Sequence, residues 1–404
     1  MNEGSYGEPI SAGALGAQRG QDELEVKFDS GVDLNKIRAL LGQAREKAGA
    51  PVERVLTLNL VGVHFSTASW TKSIPAIEAT GAFHPARSVV LIAEPKAAVS
   101  QVTARVSVKR AKGAPFFMER IVLTAQGTAV RHLESAMIGL LVPDVPVVIV
   151  WGGRAEGDLL SHTVEQADRL ILDTGSRSPD GLRHVAHLAA RGAPVGDLAW
   201  ARIFPWQSLA ADVLDIPNLR EHRDKLKSAR ITTNGPPGAE ALLLAGWFQS
   251  RVKRAKVVLV AGANPPLAPV AGPAGAPVPP SAEGAPVTAP PLGEPLPASA
   301  FPPPDAAPVL LHPPPEQVEP GQILQLQFEA PPVEFVIQRE KSGILEAQIR
   351  GDDDGEVVHR LRLTPETPGR LLVLELKLLH GIDEIYAAAL EEAARFVSLR
   401  GGKR

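Results

Sequence analysis

Two hydrophobic patterns alternate along the chain from about residue 33 to residue 262, and they predict helices and strands in turn. LNKIRALLGQAREKAG (34–49) repeats its apolar residues with a helical period. RSVVLIAEP (87–95) is a continuous apolar run, which is typical of a strand covered on both faces. Other strands are predicted at 55–65, 146–151 and 169–174, and other helices at 70–82, 131–141, 157–167 and 179–192. This alternation indicates βαβ units, and therefore an α/β fold with a mainly parallel sheet and flanking helices.

The pattern changes beyond residue 320, where apolar and polar residues alternate singly. Such alternation predicts an antiparallel meander with one solvated face. LLVLELKLL (371–379) predicts a last strand, and IDEIYAAALEEAARFVSL (382–399) predicts a terminal helix. The C-terminal part is therefore expected to be α+β, and the strand–helix–strand segment 226–262 is assigned to it. The predicted meander strands are LQLQF (324–328), VEFVI (333–337), LEAQI (345–349) and HRLRL (359–363).

Composition divides the chain into four parts. Residues 1–21 are rich in Gly, Ala and Ser and predict a disordered lead. Half of the 38 prolines fall in 265–315, so 265–320 is interpreted as a Pro/Ala-rich linker or insertion. A ligand for a proline-recognition domain is the less favoured alternative for that tract. The folded parts are then an N-terminal α/β domain at 33–212 and a C-terminal α+β domain at 213–264 and 321–400.

Composition also narrows the function classes. The formal net charge is −3 and aromatic residues make up 4% of the chain, which argues against nucleic acid and anionic membranes as partners. The chain has no cysteine, so thiol catalysis and thiolate metal sites are excluded. No apolar run approaches the roughly 20 residues of a membrane span. We expect a cytoplasmic protein without a cofactor.

The stretch WGGRAEGD (151–158) follows a buried strand, as a phosphate-binding loop does, but it has neither the GxGxxG spacing nor a lysine after its glycines. A tight turn is the favoured interpretation, and anion binding at the start of the next helix stays open. His184 and His187 share a helix face without a third ligand, so no metal site is predicted. No complete catalytic motif is found either.

Tryptophan and arginine cluster in DLAWARIFPW (197–206), which contains Trp200, Arg202 and Trp206. Trp and Arg are the residue types most enriched at interface hot spots. Large aromatic side chains also cover the edges of a core, and the two interpretations carry equal weight here.

These segments occur together in an order that resembles the OpcA-type glucose-6-phosphate dehydrogenase assembly proteins. The proline-flanked Asp144 before the strand that ends in Trp151 is similar to that family's pattern. The family's His-Pro-Ser-Arg motif matches His84 to Arg87 with Ala86 in place of Ser, and its Asp-Leu-Asn-Trp-x-Arg motif matches Asp197 to Arg202 with Ala199 in place of Asn. The other matching segments are RVLTLNLVGV (54–63), ERIVLTAQG (119–127), ADRLILDT (167–174), ALLLAGWFQSRV (241–252) and HGIDEIYAAALEEAAR (380–395).

The resemblance implies a non-catalytic protein of the oxidative pentose phosphate pathway that binds glucose-6-phosphate dehydrogenase and promotes its active oligomer. Its candidate partner-binding residues are Trp151, Asp197, Trp200, Arg202 and Trp206. The alternative is an α/β enzyme or sensor that binds a sugar phosphate near strand ends. Its candidate anion contacts are His84, Arg87, Arg131, His132 and Ser135.

Overall fold

The structure is a computed structural model that describes residues 23–262 and 318–401. Within these ranges the gaps are 30, 52–55, 82, 111–115, 153–162, 177–179, 218–221, 223, 341–342, 351–355, 364–366 and 379–380. The predicted lead and nearly all of the Pro/Ala-rich tract lie outside the described residues. The chain forms two compact units, of which unit 1 comprises Met1–Gly153 with Gly157–Asp168, and unit 2 comprises Arg154–Glu156 with Arg169–Arg404. The domain boundary at residue 212 stays a prediction.

The described residues of unit 1 form six strands, which lie in the order β1-β4-β5-β3-β2-β6. β5, β3, β2 and β6 run parallel to one another, whereas β4 is antiparallel to both β5 and β1. The strands are β1 Leu24–Phe28, β2 Leu58–His64, β3 Ala86–Glu94, β4 Gln101–Arg110, β5 Phe117–Gln126 and β6 Val147–Trp151. The helices are α1 Leu34–Ala48, α2 Thr67–Thr80 and α3 Leu133–Leu140, and a 3-10 turn, Gly127–His132, precedes α3.

Local chemistry sets the ends of the unit 1 helices. Asp33 caps α1 by accepting hydrogen bonds from the backbone N–H groups of Asn35 and Lys36, and Gly49 ends α1 in the left-handed conformation with φ 63°. Ser66 caps α2 by accepting from the Ser69 N–H at 3.1 Å. The helical pattern therefore begins and ends where these residues satisfy backbone groups that the helix leaves unpaired.

The proline-framed turn before β6 is held by Asn59, which is fully buried on β2. The Asn59 side chain donates to the carbonyls of Val142 and Val145 at 2.9 and 3.0 Å and accepts from the Val142 N–H at 2.9 Å. Asp144, at the tip, has a positive φ of 58°, a conformation that Asn and Asp tolerate better than most residues. Since proline has no N–H to donate, the turn needs a side chain to complete its hydrogen bonds.

Unit 2 contains the parallel pair β7–β8 and a mixed sheet in the order β10-β9-β11-β12-β13-β14. The four strands after residue 320 are a meander, and β9 joins it by pairing antiparallel with β11. The strands are β7 Arg169–Leu172, β8 Val195–Asp197, β9 Ser228–Asn234, β10 Lys256–Gly262, β11 Ile323–Ala330, β12 Val333–Arg339, β13 Ile344–Arg350 and β14 Glu356–Arg362. The helices are α4 Asp180–Ala190, α5 Leu198–Leu214, α6 Ala239–Arg251, α7 Pro368–Glu375 and α8 Glu384–Gly401.

The core of unit 2 joins the meander to its helices through aromatic contacts and one close helix pair. Phe328 and Phe335 stack with ring centroids 4.9 Å apart, and Phe248 of α6 lies 5.7 Å from Phe328. α6 and α8 approach so closely at Gly246 that a β-carbon there would overlap the backbone of Ala389 and Ala393. Small residues on both helices thus set the distance between them.

The predicted fold class is confirmed, because a mainly parallel sheet with flanking helices precedes a mixed sheet with an antiparallel meander and a terminal helix. The predicted strand at 371–379 is wrong, since this stretch lies mostly in α7. Thr367 caps that helix by accepting from the Arg370 N–H, and Pro368 occupies its first position. β1 has no counterpart in the sequence prediction. Among the described residues, no helix is long and apolar enough to cross a membrane.

Candidate functional site

Asp197 is the centre of a buried polar cluster in unit 2. The chain passes directly from β8 into α5 at this residue, so its carboxylate caps the helix and accepts from the Ala199 N–H at 2.9 Å. Its other donors are the Thr174 N–H at 3.0 Å, the Thr174 hydroxyl at 2.6 Å and the Tyr386 hydroxyl at 3.2 Å. The Asp197 carboxylate thereby links three parts of unit 2 by hydrogen bonds: the residues after β7, the start of α5 and the start of α8.

Burial acts on the ionisation of this cluster. It raises the pKa of Asp197, and the hydrogen bonds from Thr174 and Ala199 oppose that rise by stabilising the carboxylate. The pKa of Tyr386 is also raised well above its usual value, first by burial and then by the neighbouring carboxylate charges. Tyr386 therefore stays a neutral donor, and its hydroxyl serves to hold Asp197 in place.

Trp200 lies on this cluster, with its ring centroid 5.5 Å from that of Tyr386. Trp200 is half-buried, in contrast to Trp206 on the same helix, which is 2% exposed. The helix carries Pro205 in its interior, yet it continues through Leu214. From Leu198 onward the DLAWARIFPW segment is therefore one continuous helix, in which Trp206 is buried and Trp200 is half-buried.

Arg202 forms a second polar group beside the first. Its guanidinium binds both carboxylate oxygens of Asp173, at 2.8 and 2.7 Å, and lies 3.5 Å from Glu240 of α6. A two-pronged contact of this kind fixes the orientation of both side chains. Burial raises the pKa of Glu240, which the Arg202 charge opposes. Gly175 lies against this group, since a β-carbon there would come within 2.6 Å of the Arg202 Nη1 atom.

A third group joins Arg169 of β7 to Glu375 of α7. Both side chains are almost fully buried, and Nη2 of Arg169 lies 2.7 Å from Oε2 of Glu375. Burial raises the pKa of Glu375 to about 7, against the effect of the Arg169 hydrogen bond and charge. Gly196 of β8 makes room for the pair, because a β-carbon at Gly196 would overlap the Glu375 carboxylate and lie 2.8 Å from Nη2 of Arg169.

In the described part of unit 1, Glu119 of β5 is the centre of a comparable buried group. Its carboxylate accepts from Nε of Arg45 at 2.9 Å and from Nε of Arg87 at 2.8 Å. Arg87 also donates to the Leu140 carbonyl at 3.0 Å, at the C-terminal end of α3. Burial would raise the pKa of Glu119, but the hydrogen bonds and charges of the two arginines lower it below its usual value. The Arg87 guanidinium therefore already binds two groups within the protein, the Glu119 carboxylate and the Leu140 carbonyl.

The five candidate anion contacts do not come together at one place. His84 and Arg87 lie before or at the start of β3, at the amino edge of the parallel strands. Arg131, His132 and Ser135 follow the end of β5, at the carboxyl edge, where Nε of Arg131 lies 3.3 Å from Nε2 of His132 and the Ser135 hydroxyl donates to the His132 carbonyl. Ligands of α/β sheets bind at the carboxyl edge. Only the second group has that position.

The candidate partner-binding residues differ in accessibility. Asp197 is fully buried, and Trp151 and Trp206 are each 2% exposed, with Trp151 packed 5.6 Å from the Phe65 ring. Trp200 and Arg202 are partly exposed. Sequence reasoning missed Phe204, which lies in the same segment and is 61% exposed. Its signal was available, since Phe204 follows Trp200 by four residues and so shares its helix face.

The remaining sequence motifs add no site. Most of the WGGRAEGD stretch and of the predicted helix 157–167 lie outside the described residues. His184 and His187 are exposed on α4. Within the described part of the chain, no group of three or more histidines or carboxylates is arranged to hold a metal ion.

The chain is weakly similar to two solved structures. One is a 3-ketoreductase from Actinomadura kijaniata, with 11% identity, 85% of this chain and 97% of that chain covered, and a TM-score of 0.40. The other is described as a "putative myo-inositol dehydrogenase" from Sinorhizobium meliloti, with 13% identity, coverage of 85% and 98%, and a TM-score of 0.32. Scores this low support no conclusion about function.

Two curated relatives carry the name "Putative OxPP cycle protein OpcA". The protein from Synechocystis sp. is 27% identical over 139 residues, which are 33% of this chain and 29% of the relative. The protein from Nostoc punctiforme is 26% identical over 139 residues, which are 33% of this chain and 30% of the relative. The match thus spans less than a third of the length of either relative.

Two family models match consecutive parts of the chain. Residues 77–190 match the glucose-6-phosphate dehydrogenase subunit N-terminal domain, and residues 193–274 match the corresponding C-terminal domain. The first range contains Arg87, Glu119 and Trp151, and the second contains Asp197, Trp200 and Arg202. The meander and terminal helix lie beyond both ranges. These matches confirm the resemblance, seen in the sequence, to the OpcA-type glucose-6-phosphate dehydrogenase assembly proteins.

Proposed function

We propose that this protein is a non-catalytic cytoplasmic partner of glucose-6-phosphate dehydrogenase that promotes the enzyme's active oligomer. The observation that carries the proposal is the pair of family matches, both to domains of a glucose-6-phosphate dehydrogenase subunit, in consecutive order along the chain. The names of the curated relatives, which refer to the oxidative pentose phosphate cycle, support the same role.

Activation by a binding partner has a thermodynamic requirement. The partner must bind the active form of the enzyme more tightly than the inactive form, because only a difference in affinity shifts the equilibrium. A tenfold shift needs about 1.4 kcal/mol of differential binding free energy. A rigid binding surface serves this purpose well, since it loses little conformational entropy on binding.

The exposed face of α5 is the contact surface that we propose in unit 2. Phe204 is exposed there, and the half-buried Trp200 lies one turn earlier on the same face. Among the described residues of unit 2, the other exposed large apolar side chains are Leu378, Ile382 and Ile385, at or just before the start of α8. Exposed apolar side chains on a rigid frame are typical of protein–protein contact sites.

Two members of the predicted set, Asp197 and Arg202, have a supporting role in this proposal. Asp197 and the pair of Arg202 with Asp173 hold α5 against its neighbours, so they fix the direction in which Trp200 and Phe204 point. Their substitution is expected to weaken partner binding by loosening this frame, with a loss of stability at the same time.

A matched pair of substitutions tests the proposed surface. Phe204→Ser removes an aromatic side chain that is 61% exposed in unit 2, and Phe83→Ser removes one that is 63% exposed in unit 1. We expect Phe204→Ser to weaken dehydrogenase binding by about tenfold or more, as hot-spot aromatics do, and Phe83→Ser to leave it unchanged. Equal effects of the two variants in a binding titration would contradict the proposed surface.

The alternative, a sugar-phosphate-binding enzyme or sensor, gains less support. It needs several anion contacts in one place, whereas His84 and Arg87 lie at the opposite edge of the parallel strands from Arg131, His132 and Ser135. Calorimetry with glucose 6-phosphate and the protein alone tests it. Heat of binding that Arg131→Gln abolishes would favour the alternative over a purely protein-binding role.

A further inference from the structure

Unit 2 contains a cavity of about 640 Å³ at the ends of two helices. The last turn of α5, the segment 224–226 and the last turn of α6 with the residues that follow it line the cavity. Its volume falls within the roughly 300–1,000 Å³ of typical small-molecule sites. None of the residues placed at the proposed partner surface lines it.

One wall of the cavity is apolar and aromatic. Trp247 is half-buried there, beside the buried Phe248 and Leu226 and the partly exposed Leu214. The Trp247 and Phe248 rings meet edge to face at 6.2 Å, which fixes the orientation of the indole. A fixed indole at the edge of a cavity offers a flat surface on which another aromatic ring can stack.

The mouth of the cavity carries charged groups of both signs. Arg251 and Lys253 are exposed, and neither forms an ion pair with any described residue. Arg254 lies 3.8 Å from Asp224, and Asp215 lines the side that α5 contributes. The C-terminal ends of α5 and α6 add partial negative charge, which one basic residue can offset. The two cations therefore belong to the α6 side of the mouth, and Asp215 belongs to the α5 side.

The geometry points to a nucleoside phosphate as the ligand of this cavity. Trp247 would stack on the base, and Arg251 with Lys253 would bind the phosphate oxygens. Asp215 would accept hydrogen bonds from the ribose hydroxyls, which a carboxylate does well. A sugar phosphate would leave the aromatic wall unused, and a purely apolar ligand would leave the two cations unused. This site requires no contact with the dehydrogenase, so it stands apart from the proposed function.

Calorimetry on the full chain tests the inference with three probes. ATP contains base, ribose and phosphate, whereas adenosine has no phosphate and ribose 5-phosphate has no base. We expect ATP to bind. Adenosine and ribose 5-phosphate should each bind at least about tenfold more weakly than ATP, because each lacks one group of contacts. No heat with millimolar ATP would overturn the inference, and ribose 5-phosphate binding as tightly as ATP would overturn the role of Trp247.

Substitutions assign the binding to this cavity. Trp247→Leu is expected to weaken ATP binding about tenfold and to leave ribose 5-phosphate binding unchanged. Arg251→Gln changes an exposed side chain, so it keeps the test valid if the Trp247 variant does not fold. It should weaken ATP binding about tenfold and leave adenosine binding unchanged. Lys377→Gln, an exposed lysine that does not line the cavity, is the matched control. ATP affinity unchanged in Arg251→Gln, or lowered equally in Lys377→Gln, would overturn the assignment.

Discussion

Glu119 in unit 1 and Glu375 in unit 2 are both buried carboxylates paired with arginine, yet their pKa values move in opposite directions. Glu119 has two arginines on its carboxylate, at 2.9 and 2.8 Å, and its pKa is lowered. Glu375 has one, at 2.7 Å, with the Asp197 charge nearby, and its pKa is raised to about 7. One arginine does not offset the loss of hydration of a buried carboxylate, whereas two arginines do.

The largest effect is expected from removing the better-paired charge. Glu119→Gln leaves Arg45 and Arg87 without a counter-ion in a buried setting, which should lower the free energy of unfolding by about 3 kcal/mol. Glu25→Gln is the matched control, because Glu25 pairs with Arg105 at 2.7 Å but the two side chains are 39% and 45% exposed, and such pairs contribute about 1 kcal/mol or less. Urea unfolding of both variants measures the difference, and equal losses would refute this explanation.

The raised pKa of Glu375 predicts a pH-dependent stability. Between its usual pKa, 4.5, and about 7, the folded state holds a proton that the unfolded state has lost. Its contribution to the free energy of unfolding should therefore fall as pH rises through this range, by up to about 3 kcal/mol. His64, whose pKa burial lowers to about 4, acts in the opposite sense below its usual 6.5.

The contribution of Glu375 is isolated by comparison with Glu375→Gln. The difference in unfolding free energy between the wild type and this variant should decrease from pH 5 to pH 7.5, since all other groups cancel. For Glu119, the lowered pKa predicts stability that is lost only below about pH 4.5. A flat difference profile for Glu375→Gln would show that Arg169 keeps Glu375 ionised, and the contrast between the two carboxylates would disappear.

A smaller effect is expected at the glycine that makes room for the less well-paired carboxylate. Gly196→Ala places a β-carbon against both Glu375 and Arg169, which should cost about 1–3 kcal/mol of stability. Gly42→Ala is the control, because a β-carbon at that position in α1 has nothing within 4 Å, and alanine should stabilise the helix by up to about 1 kcal/mol. Thermal unfolding should move in opposite directions for the two variants.

The smallest effect concerns the geometry of the two-arginine site. Arg87→Lys keeps the positive charge beside Glu119, but an ammonium cannot bind both the carboxylate and the Leu140 carbonyl in the fork geometry of a guanidinium. We expect a loss of about 1 kcal/mol in urea unfolding, well below that of Glu119→Gln. A loss as large as that of Glu119→Gln would indicate that hydrogen-bond geometry, not charge, stabilises the site.

The sequence predicts regular elements well where the pattern is long and unambiguous. RSVVLIAEP (87–95) is predicted as a strand, and residues 87–94 of it lie in β3, Ala86–Glu94. LLVLELKLL alternates like a strand but is mostly helical, because Thr367 and Pro368 begin a helix just before it. Here the capping threonine and the proline at the first helical position outweigh the strand propensity that the alternation indicates.

The site was harder to predict than the fold, because its contacts join distant parts of the sequence. Asp197 and Tyr386 are separated by 189 residues, and Arg87 and Glu119 by 32. The sequence shows the motif that contains Asp197, but it leaves the burial of Trp206 open and does not predict that of Trp151. A tryptophan gives the same sequence signal at the edge of a core and at an interface. Phe204 was missed, although its exposure makes it the more accessible aromatic residue of that segment.

Our central proposal is that this protein binds and activates glucose-6-phosphate dehydrogenase. The direct test is to mix the two purified proteins, determine the mass of the complex, and measure the dehydrogenase rate against glucose 6-phosphate concentration in the same samples. We predict a complex of higher mass together with a higher rate or a higher apparent substrate affinity. Separate masses with an unchanged rate curve would contradict the claim.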